Sequence, residues 1–248
     1  MKSIVVANWK MNPATWRDAK RLFDATRKAA DGAKQTTVIV APPAIYLRDL
    51  AQAYKGRRIS FAAQSTHFEQ SGSHTGEISP AQARDSKASY VIVGHAERRA
   101  AGESDEDTAK KVAAVLAERM IPILCIGEKS RSPSGEHFTF VREQLVAGLK
   151  NVPEQKISKI LLAYEPVWAI GAAKPMSPAD MHEMAIFIRK TVVEKFGAAA
   201  MNVKILYGGS IDENNAEDML RNGDVNGLLV GRASTEASRF TALVSAIA

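Results

Sequence analysis

A lysine and an asparagine stand at the end of the first apolar run of the sequence, residues 4–7. Asn8 and Lys10 are two positions apart, so that in an extended segment their side chains point to the same side. The ammonium group of such a lysine could hold an anionic substrate. The alternative, which the residue type alone leaves open, is a lysine that is merely exposed at a strand end.

A histidine stands at the end of another apolar run, residues 90–93. His95 follows Gly94 directly and is placed to open a short helix, whose positive end disfavours the imidazolium form. A neutral ring can donate a hydrogen bond to a substrate oxygen. A structural histidine is the alternative, but its position at a strand end, with Glu97 close by, favours a functional one.

A glutamate follows the apolar run 160–163. Glu165 precedes Pro166, which biases the backbone toward the extended region and helps to fix the direction of the carboxylate. A carboxylate at the end of an apolar strand costs free energy unless it is paired or used. Glu165 is therefore either a functional group or one half of an ion pair.

Glycine-rich turns follow two further apolar runs, 204–207 and 227–230. Gly208, Gly209 and Ser210 follow the first run, and Gly231 follows the second. Glycine lets the backbone approach a ligand closely, so that main-chain N–H groups can bind phosphate. Each turn alone could be an ordinary tight turn, but the two together favour a phosphate site.

The segment 166–176 has stiff ends and a small, apolar middle. This composition predicts a rigid lid on two short hinges, which could cover a ligand and exclude water. A static surface loop is the alternative. The predicted lid consists of Pro166, Val167, Trp168, Ala169, Ile170, Gly171, Ala172, Ala173, Lys174, Pro175 and Met176.

These segments belong to an alternating pattern of apolar runs and helix-like stretches. The apolar, β-branched runs are residues 4–7, 38–41, 59–62, 90–93, 121–124, 160–163, 204–207 and 227–230. The helix-like stretches include residues 15–30, 105–119, 138–149, 178–196 and 213–221, with a weaker one at 80–86 after the long polar loop 65–79. Alternating βα units demand a parallel sheet covered by helices, and units of about 31 residues fit a closed barrel. We therefore expect an α/β fold, a closed (β/α)8 barrel, in one domain over residues 1–248.

Composition narrows the classes of partner. The chain is 46% hydrophobic and 24% charged, which is ordinary for a globular protein and argues against disorder and membrane insertion. Its net charge is +6, but lysine and arginine are interspersed with acidic residues, so no nucleic-acid partner is expected. Without a long apolar segment or a cleavage signature, no membrane association is expected, and the cytoplasm is the expected location.

The cysteine and histidine content predicts neither a disulfide nor a metal site. Cys125, the one cysteine, is interpreted as a buried strand residue rather than a catalytic thiol. The remaining histidines show no metal-ligand spacing, and there is no dinucleotide or P-loop glycine fingerprint. We therefore expect no metal and no cofactor.

Longer motifs around these residues resemble the triosephosphate isomerase family, in order and over nearly the whole chain. They are Asn8-Trp9-Lys10-Met11-Asn12, Thr75-Gly76-Glu77-Ile78-Ser79, Gly94-His95-Ala96-Glu97-Arg98-Arg99, Leu124-Cys125-Ile126-Gly127-Glu128, Ala163-Tyr164-Glu165-Pro166-Val167-Trp168-Ala169-Ile170-Gly171, Tyr207-Gly208-Gly209-Ser210 and Leu229-Val230-Gly231.

The resemblance implies a TIM barrel that interconverts dihydroxyacetone phosphate and D-glyceraldehyde 3-phosphate through an enediol, without a cofactor, in glycolysis and gluconeogenesis. That family is itself the standard example of a glutamate base with a neutral histidine electrophile and a water-excluding lid. The resemblance assigns roles by motif. Glu165 is the base, His95 the electrophile, Lys10 and Asn8 steady the anion, Glu97 is a polar partner, and Gly171, Gly209, Ser210 and Gly231 bind the phosphate.

The resemblance also implies a homodimer in which the loop 71–79, led by Thr75, reaches the neighbouring subunit near Asn8 and Lys10. A polar loop that is solvated in a monomer is the alternative. Two other functions remain open: a phosphate-binding barrel that acts on a larger substrate, and a catalytically idle barrel that binds other molecules.

The sequence departs from the family pattern at several positions. The lid has Ala172-Ala173 where Thr-Gly is usual and Pro175 where Thr is usual, which predicts altered lid kinetics rather than lost activity. The segment after Arg99 is one residue short and lacks the usual aromatic. Ser65 replaces an asparagine, Ala96 a serine and Arg232 a glycine, and Arg232 can bind phosphate through its N–H only if its backbone tolerates a Cβ.

Overall fold

The apolar runs form eight parallel strands that close into a barrel, with each strand paired to its neighbours in chain order and β1 paired to β8. The computed structural model describes residues 2–170 and 175–248. The strands are β1 (Ser3–Asn8), β2 (Thr36–Ala41), β3 (Ile59–Ala63), β4 (Tyr90–Val93), β5 (Ile121–Ile126), β6 (Leu161–Tyr164), β7 (Lys204–Tyr207) and β8 (Gly227–Val230). The predicted closed (β/α)8 barrel is confirmed.

Helices connect the strands and cover the outside of the barrel. In the described part of the chain the α-helices are α1 (Trp16–Gly32), α2 (Ala44–Ala53), α3 (Pro80–Asp85), α4 (Ala96–Ala100), α5 (Asp105–Ala117), α6 (Glu136–Gly148), α7 (Pro178–Phe196), α8 (Ala216–Asn222) and α9 (Ala237–Ala246). Helix α7 has the predicted ends. Helix α8 begins three residues later than predicted, because Asp212 and Asn215 form a turn in which the Asn215 side chain accepts the Asp212 N–H at 3.0 Å.

Caps fix the beginnings of several helices. Ser104 caps α5 through a hydrogen bond from the Asp107 N–H to its hydroxyl oxygen at 3.0 Å, as the acidic first turn predicts. Ser177 caps α7 in the same way, and Pro178 occupies the first turn, where its missing N–H costs nothing.

The strands bury side chains on both faces, which is why they are continuous apolar runs rather than alternating ones. One set of side chains fills the barrel interior and the other packs under the helices. Cys125 lies in the interior set and is fully buried, which confirms its interpretation as a strand residue. Burial raises the pKa of its thiol well above the usual value, so the thiol stays protonated.

No helix within residues 2–170 and 175–248 combines the length and the apolarity needed to cross a bilayer. Every polar group that the sequence singles out for chemistry and the structure describes lies instead at or near the carboxyl ends of the strands, where barrel enzymes build their sites.

Candidate active site

The carboxyl ends of the strands surround a cavity of about 460 Å³, a size that suits a small ligand. The predicted residues that line it lie at the ends of five different strands: Asn8 is the last residue of β1 and Lys10 follows it, His95 follows β4, Glu165 follows β6, Gly209 and Ser210 follow β7, and Gly231 follows β8. The barrel thus brings together residues that are far apart in the sequence.

Glu165 is almost fully buried, with 3% of its surface exposed. Its Oε1 lies 3.1 Å from His95 Nε2, and its Oε2 accepts the N–H of Ala96 at 3.1 Å. Burial raises the pKa of Glu165, but the paired His95 and the N–H of Ala96 lower it, and the net shift is downward. The carboxylate is therefore ionised at neutral pH. Ala96 takes part through its backbone N–H, which does not depend on its side chain.

His95 is the N-cap of α4, as predicted. Its Nδ1 accepts the N–H of Glu97 at 3.2 Å, so this nitrogen presents a lone pair and the proton of the neutral ring is on Nε2, facing Glu165. Burial lowers the pKa of His95, while the Glu165 carboxylate raises it, and the net shift is upward. The predicted preference for a neutral ring considered only the helix end; the Glu165 carboxylate, 3.1 Å from the ring, raises the pKa of His95 more than burial lowers it.

Lys10 has a backbone conformation that few residues other than glycine adopt, with φ of +53°. Its N–H donates to Asn8 Oδ1 at 3.1 Å, and its carbonyl accepts from Gln64 Nε2 at 2.8 Å. The ammonium group pairs with Glu97 Oε1 at 2.7 Å. Strained conformations held by surrounding contacts are typical of functional sites, which favours the functional interpretation of Lys10 over simple exposure.

Two glycines make room for Glu165. A Cβ on Gly208 would lie 2.8 Å from Glu165 Cγ, and a Cβ on Gly127 would collide with the main-chain carbonyl of Glu165. Strands β5 and β7, which end just before these glycines, flank β6 in the barrel. The position of the carboxylate is thus set by close packing on both sides.

The end of β4 is fixed by a buried ion pair. Glu103 accepts the N–H of Gly94 at 3.0 Å and pairs with Lys111 at 2.6 Å, and both side chains are buried. Arg99 Nε donates to the Gly94 carbonyl at 2.8 Å. These contacts hold the turn that presents His95.

Three of the four predicted phosphate residues line the cavity, and the fourth, Gly171, lies outside the described residues. Gly209, Ser210 and Gly231 line the cavity with Arg232, whose φ is not in the left-handed region, so its Cβ is tolerated. The buried Ser234 hydroxyl lies 2.7 Å from the Gly231 carbonyl oxygen and 3.1 Å from the Asn8 carbonyl oxygen, and it can donate its one proton to either, which joins the ends of β8 and β1.

The lid prediction falls partly outside the described residues, because Gly171, Ala172, Ala173 and Lys174 are among those not described. Ile170 and Pro175, on either side of them, line the cavity. Val167–Ala169 form a short 3-10 helix after Pro166. Met176, the last residue of the predicted lid, is buried.

A buried glutamate anchors the first part of the predicted lid. Glu128 accepts the Tyr164 hydroxyl at 2.8 Å and the Trp168 Nε1–H at 2.8 Å. Its main-chain carbonyl accepts the N–H of Val167 at 2.9 Å. The backbone of residues 165–168 is therefore tied to the end of β5.

Sequence reasoning did not assign roles to Gln64, Glu128 or Ser234, which hold the site residues through hydrogen bonds. Their polar types just after strands β3, β5 and β8 were the available signal. No set of three or more histidine, cysteine, aspartate or glutamate side chains in the described ranges is arranged to hold a metal ion.

Comparison with known proteins gives one consistent result. The family model for triosephosphate isomerase matches residues 3–247. A triosephosphate isomerase from Endomicrobium trichonymphae is 40% identical over 245 residues, which is 98% of each chain. A crystal structure of triosephosphate isomerase from Bartonella henselae has a TM-score of 0.87 and 30% identity, with 99% of each chain covered.

Proposed function

The chain belongs to the triosephosphate isomerase family, and we propose that Glu165, His95 and Lys10 carry out its reaction, the interconversion of dihydroxyacetone phosphate and D-glyceraldehyde 3-phosphate. The reaction implies a role in glycolysis. Gluconeogenesis, which uses the reverse direction, is part of the proposal. One observation carries the residue assignment: an ionised, buried carboxylate lies 3.1 Å from an imidazole in a cavity that it shares with a lysine.

The first step moves a proton from a carbon beside the substrate carbonyl to the Glu165 carboxylate. The electron pair of the broken C–H bond forms the carbon–carbon double bond of the enediol, and the carbonyl π electrons move to its oxygen. Such protons are weakly acidic, so the base must be positioned and the developing negative charge must be stabilised in a site that excludes water. Return of the proton to the adjacent carbon, together with movement of the hydroxyl proton from one enediol oxygen to the other, gives the isomeric carbonyl compound and restores the Glu165 carboxylate.

His95 stabilises the oxygen that becomes negative, by donating from Nε2. While Glu165 is ionised, its charge raises the pKa of His95. Once Glu165 has taken the substrate proton that charge is gone, and burial together with the Glu97 N–H favours the neutral ring. The electrophile is then a neutral imidazole. Lys10 adds a positive charge, and Asn8 holds the Lys10 N–H in place.

Main-chain N–H groups of Gly209, Ser210 and Gly231 are proposed to bind the substrate phosphate. The same role is proposed for Gly171 on the basis of the family motif. Glu97 pairs with Lys10 and keeps the ammonium group at the cavity wall.

The test of the function is the isomerisation of D-glyceraldehyde 3-phosphate by the purified chain, with and without a metal chelator. We expect fast turnover that the chelator leaves unchanged. Absence of turnover would favour the idle barrel or a barrel for a larger substrate. Loss of turnover with the chelator would contradict the proposal that no metal or other cofactor is needed.

Arg232 is expected to strengthen phosphate binding. Its exposed side chain lines the cavity beside Ser210 and Gly231, and a guanidinium group suits phosphate oxygens. Arg232→Gly should raise KM and the inhibition constant of inorganic phosphate by roughly threefold to tenfold, with kcat nearly unchanged. Arg57→Gly, in an exposed loop away from the cavity, is the control. Equal constants in both variants would show that the side chain does not contact the phosphate.

We propose a homodimer, and two exposed apolar side chains support it, one of them next to Lys10 in the sequence. Met11 is 94% exposed and Ile45 is 77% exposed. A second cavity, of about 500 Å³, is lined by Lys10 and Glu97 and is a suitable place for the Thr75 loop of a second copy. Contact with a second copy would bury this surface and cover one side of the active site.

Thr75→Arg is expected to weaken the dimer, because it brings a cation close to the Lys10 ammonium of the second copy. Sedimentation should show dissociation at a concentration at which the wild type stays dimeric, with a lower kcat in the dissociated form. Ser71→Arg, at the beginning of the same loop, is the control. A wild type that is monomeric and fully active would refute the dimer.

The cytoplasm is the proposed location, and residues 1–248 are proposed to form one domain. The reducing cytoplasm suits a chain whose one cysteine, Cys125, is buried and unpaired. No nucleic-acid or membrane partner is proposed.

A further inference from the structure

Arg131 connects the segment after β5 to residues on both sides of Glu165 in the sequence. Its Nε donates to Glu128 Oε1 at 3.1 Å, and its Nη2 donates to the Tyr164 hydroxyl oxygen at 3.1 Å. Its guanidinium carbon lies 5.5 Å from the centre of the Trp168 ring. One side chain thus contacts the acceptor, the phenol and the indole that together anchor the first part of the lid.

The charge of Arg131 compensates the Glu128 carboxylate, which is 1% exposed. A buried carboxylate without a cation is strongly destabilising. Within the described part of the chain, Arg131 is the cation that pairs with it. Burial lowers the pKa of Arg131, but Tyr164 and Glu128 raise it and the net shift is upward, so the side chain is charged at every physiological pH.

Glu128 in turn holds the backbone that carries the catalytic base. The Glu165 N–H donates to the Ile126 carbonyl at 2.7 Å, and the Val167 N–H donates to the Glu128 carbonyl at 2.9 Å. Trp168 adds a side-chain contact to the Glu128 carboxylate. Displacement of Glu128 would therefore weaken both the main-chain hydrogen bond from Val167 and the side-chain hydrogen bond from Trp168.

We propose that Arg131 is a positioning residue: it fixes Glu128 and Trp168, and through them the backbone that aims the Glu165 carboxylate. This inference rests on the proposed role of Glu165 as the base. The planar guanidinium can meet a carboxylate, a phenol and a ring face at once, whereas an ammonium group lacks that fork. The contacts join residues 33 and 37 positions apart, so spacing along the chain gives no indication of them.

Arg131→Met tests the proposal, since methionine keeps most of the length and removes the charge and the donors. We expect the emission of Trp168 to shift to longer wavelength, and kcat to fall by roughly tenfold with KM changed less than about twofold. Because the sequence contains three tryptophans, the emission of Trp168 is obtained by subtracting the spectrum of the same protein that also carries Trp168→Phe. Arg131→Lys should recover only part of kcat, because it restores the charge without the fork.

Lys129→Met is the matched control, because it removes an exposed cation from the same segment. If Arg131→Met equals Lys129→Met in emission and in kcat, Arg131 has no positioning role. If the emission shifts but kcat is unchanged, Arg131 contacts Trp168 without positioning Glu165, and the proposal is overturned. An inactive wild type would overturn the proposed function itself.

Discussion

Glu165→Asp is expected to lower kcat by about 100-fold or more, with a much smaller change in KM. The variant keeps the charge but retracts the carboxylate by one methylene, and a misplacement of about 1 Å can cost a factor of about 100. Glu165→Gln removes the base altogether, and its expected loss is roughly 10³-fold to 10⁴-fold, the upper range for general base catalysis. Steady-state isomerisation assays in both directions measure these losses.

The two Glu165 variants separate chemistry from folding. Glu194→Asp, an exposed carboxylate on α7, is the control and should keep wild-type kcat. Circular dichroism and thermal unfolding should show intact folds for all three. If both Glu165→Asp and Glu165→Gln turn over like the wild type, Glu165 is not the base. If Glu165→Gln does not fold, the turnover of Glu165→Asp alone tests the assignment.

His95→Asn is expected to lower kcat by roughly 10²-fold to 10³-fold, the loss that follows removal of one donor to a developing oxyanion. Asparagine is a good N-cap and can accept the Glu97 N–H, so α4 should keep its beginning. Its amide is too short to reach the position of Nε2. The change to asparagine therefore removes the donor and keeps the local fold. A change to alanine would remove the N-cap as well as the donor.

The tautomer of His95 can be measured directly. We expect ¹⁵N NMR of the imidazole, at a pH above the raised pKa of His95, to show a proton on Nε2 and a lone pair on Nδ1, because Nδ1 accepts the Glu97 N–H. A proton on Nδ1 would contradict the arrangement. Unchanged kcat in His95→Asn would exclude Nε2 as the electrophile.

Sequence reasoning predicted the elements because each has a local cause. The β-branched runs, the Ser104 cap and Pro178 act over a few residues, so the strands and α7 lie where their patterns place them. The barrel then predicts that the residues after the strands lie together, because the carboxyl ends of its parallel strands are on the same side. For this reason Lys10, His95 and Glu165 could be expected to share a cavity.

The contacts that refine the site depend on residues distant in the chain and could not be predicted in this way. Gln64 reaches the Lys10 carbonyl across 54 positions, and the upward pKa shift of His95 depends on Glu165, 70 positions away. The left-handed backbone of Lys10 is not a property of lysine. It is held by the Asn8 and Gln64 side chains, which only the fold brings to it.

The barrel closes through contacts between the two ends of the chain: β1 pairs with β8, and Ser234 reaches the Asn8 carbonyl across 226 positions. Synthesis on the ribosome therefore delivers Lys10 long before the strand that completes its surroundings. At the usual rate of chain elongation the delay is roughly 10 to 45 seconds. During that interval β1 has an unpaired edge that carries Ile4 and Val6, and a nascent chain with such an edge is a substrate for chaperones and a risk for aggregation. The active site in this fold can therefore be completed only after β8 has been synthesised.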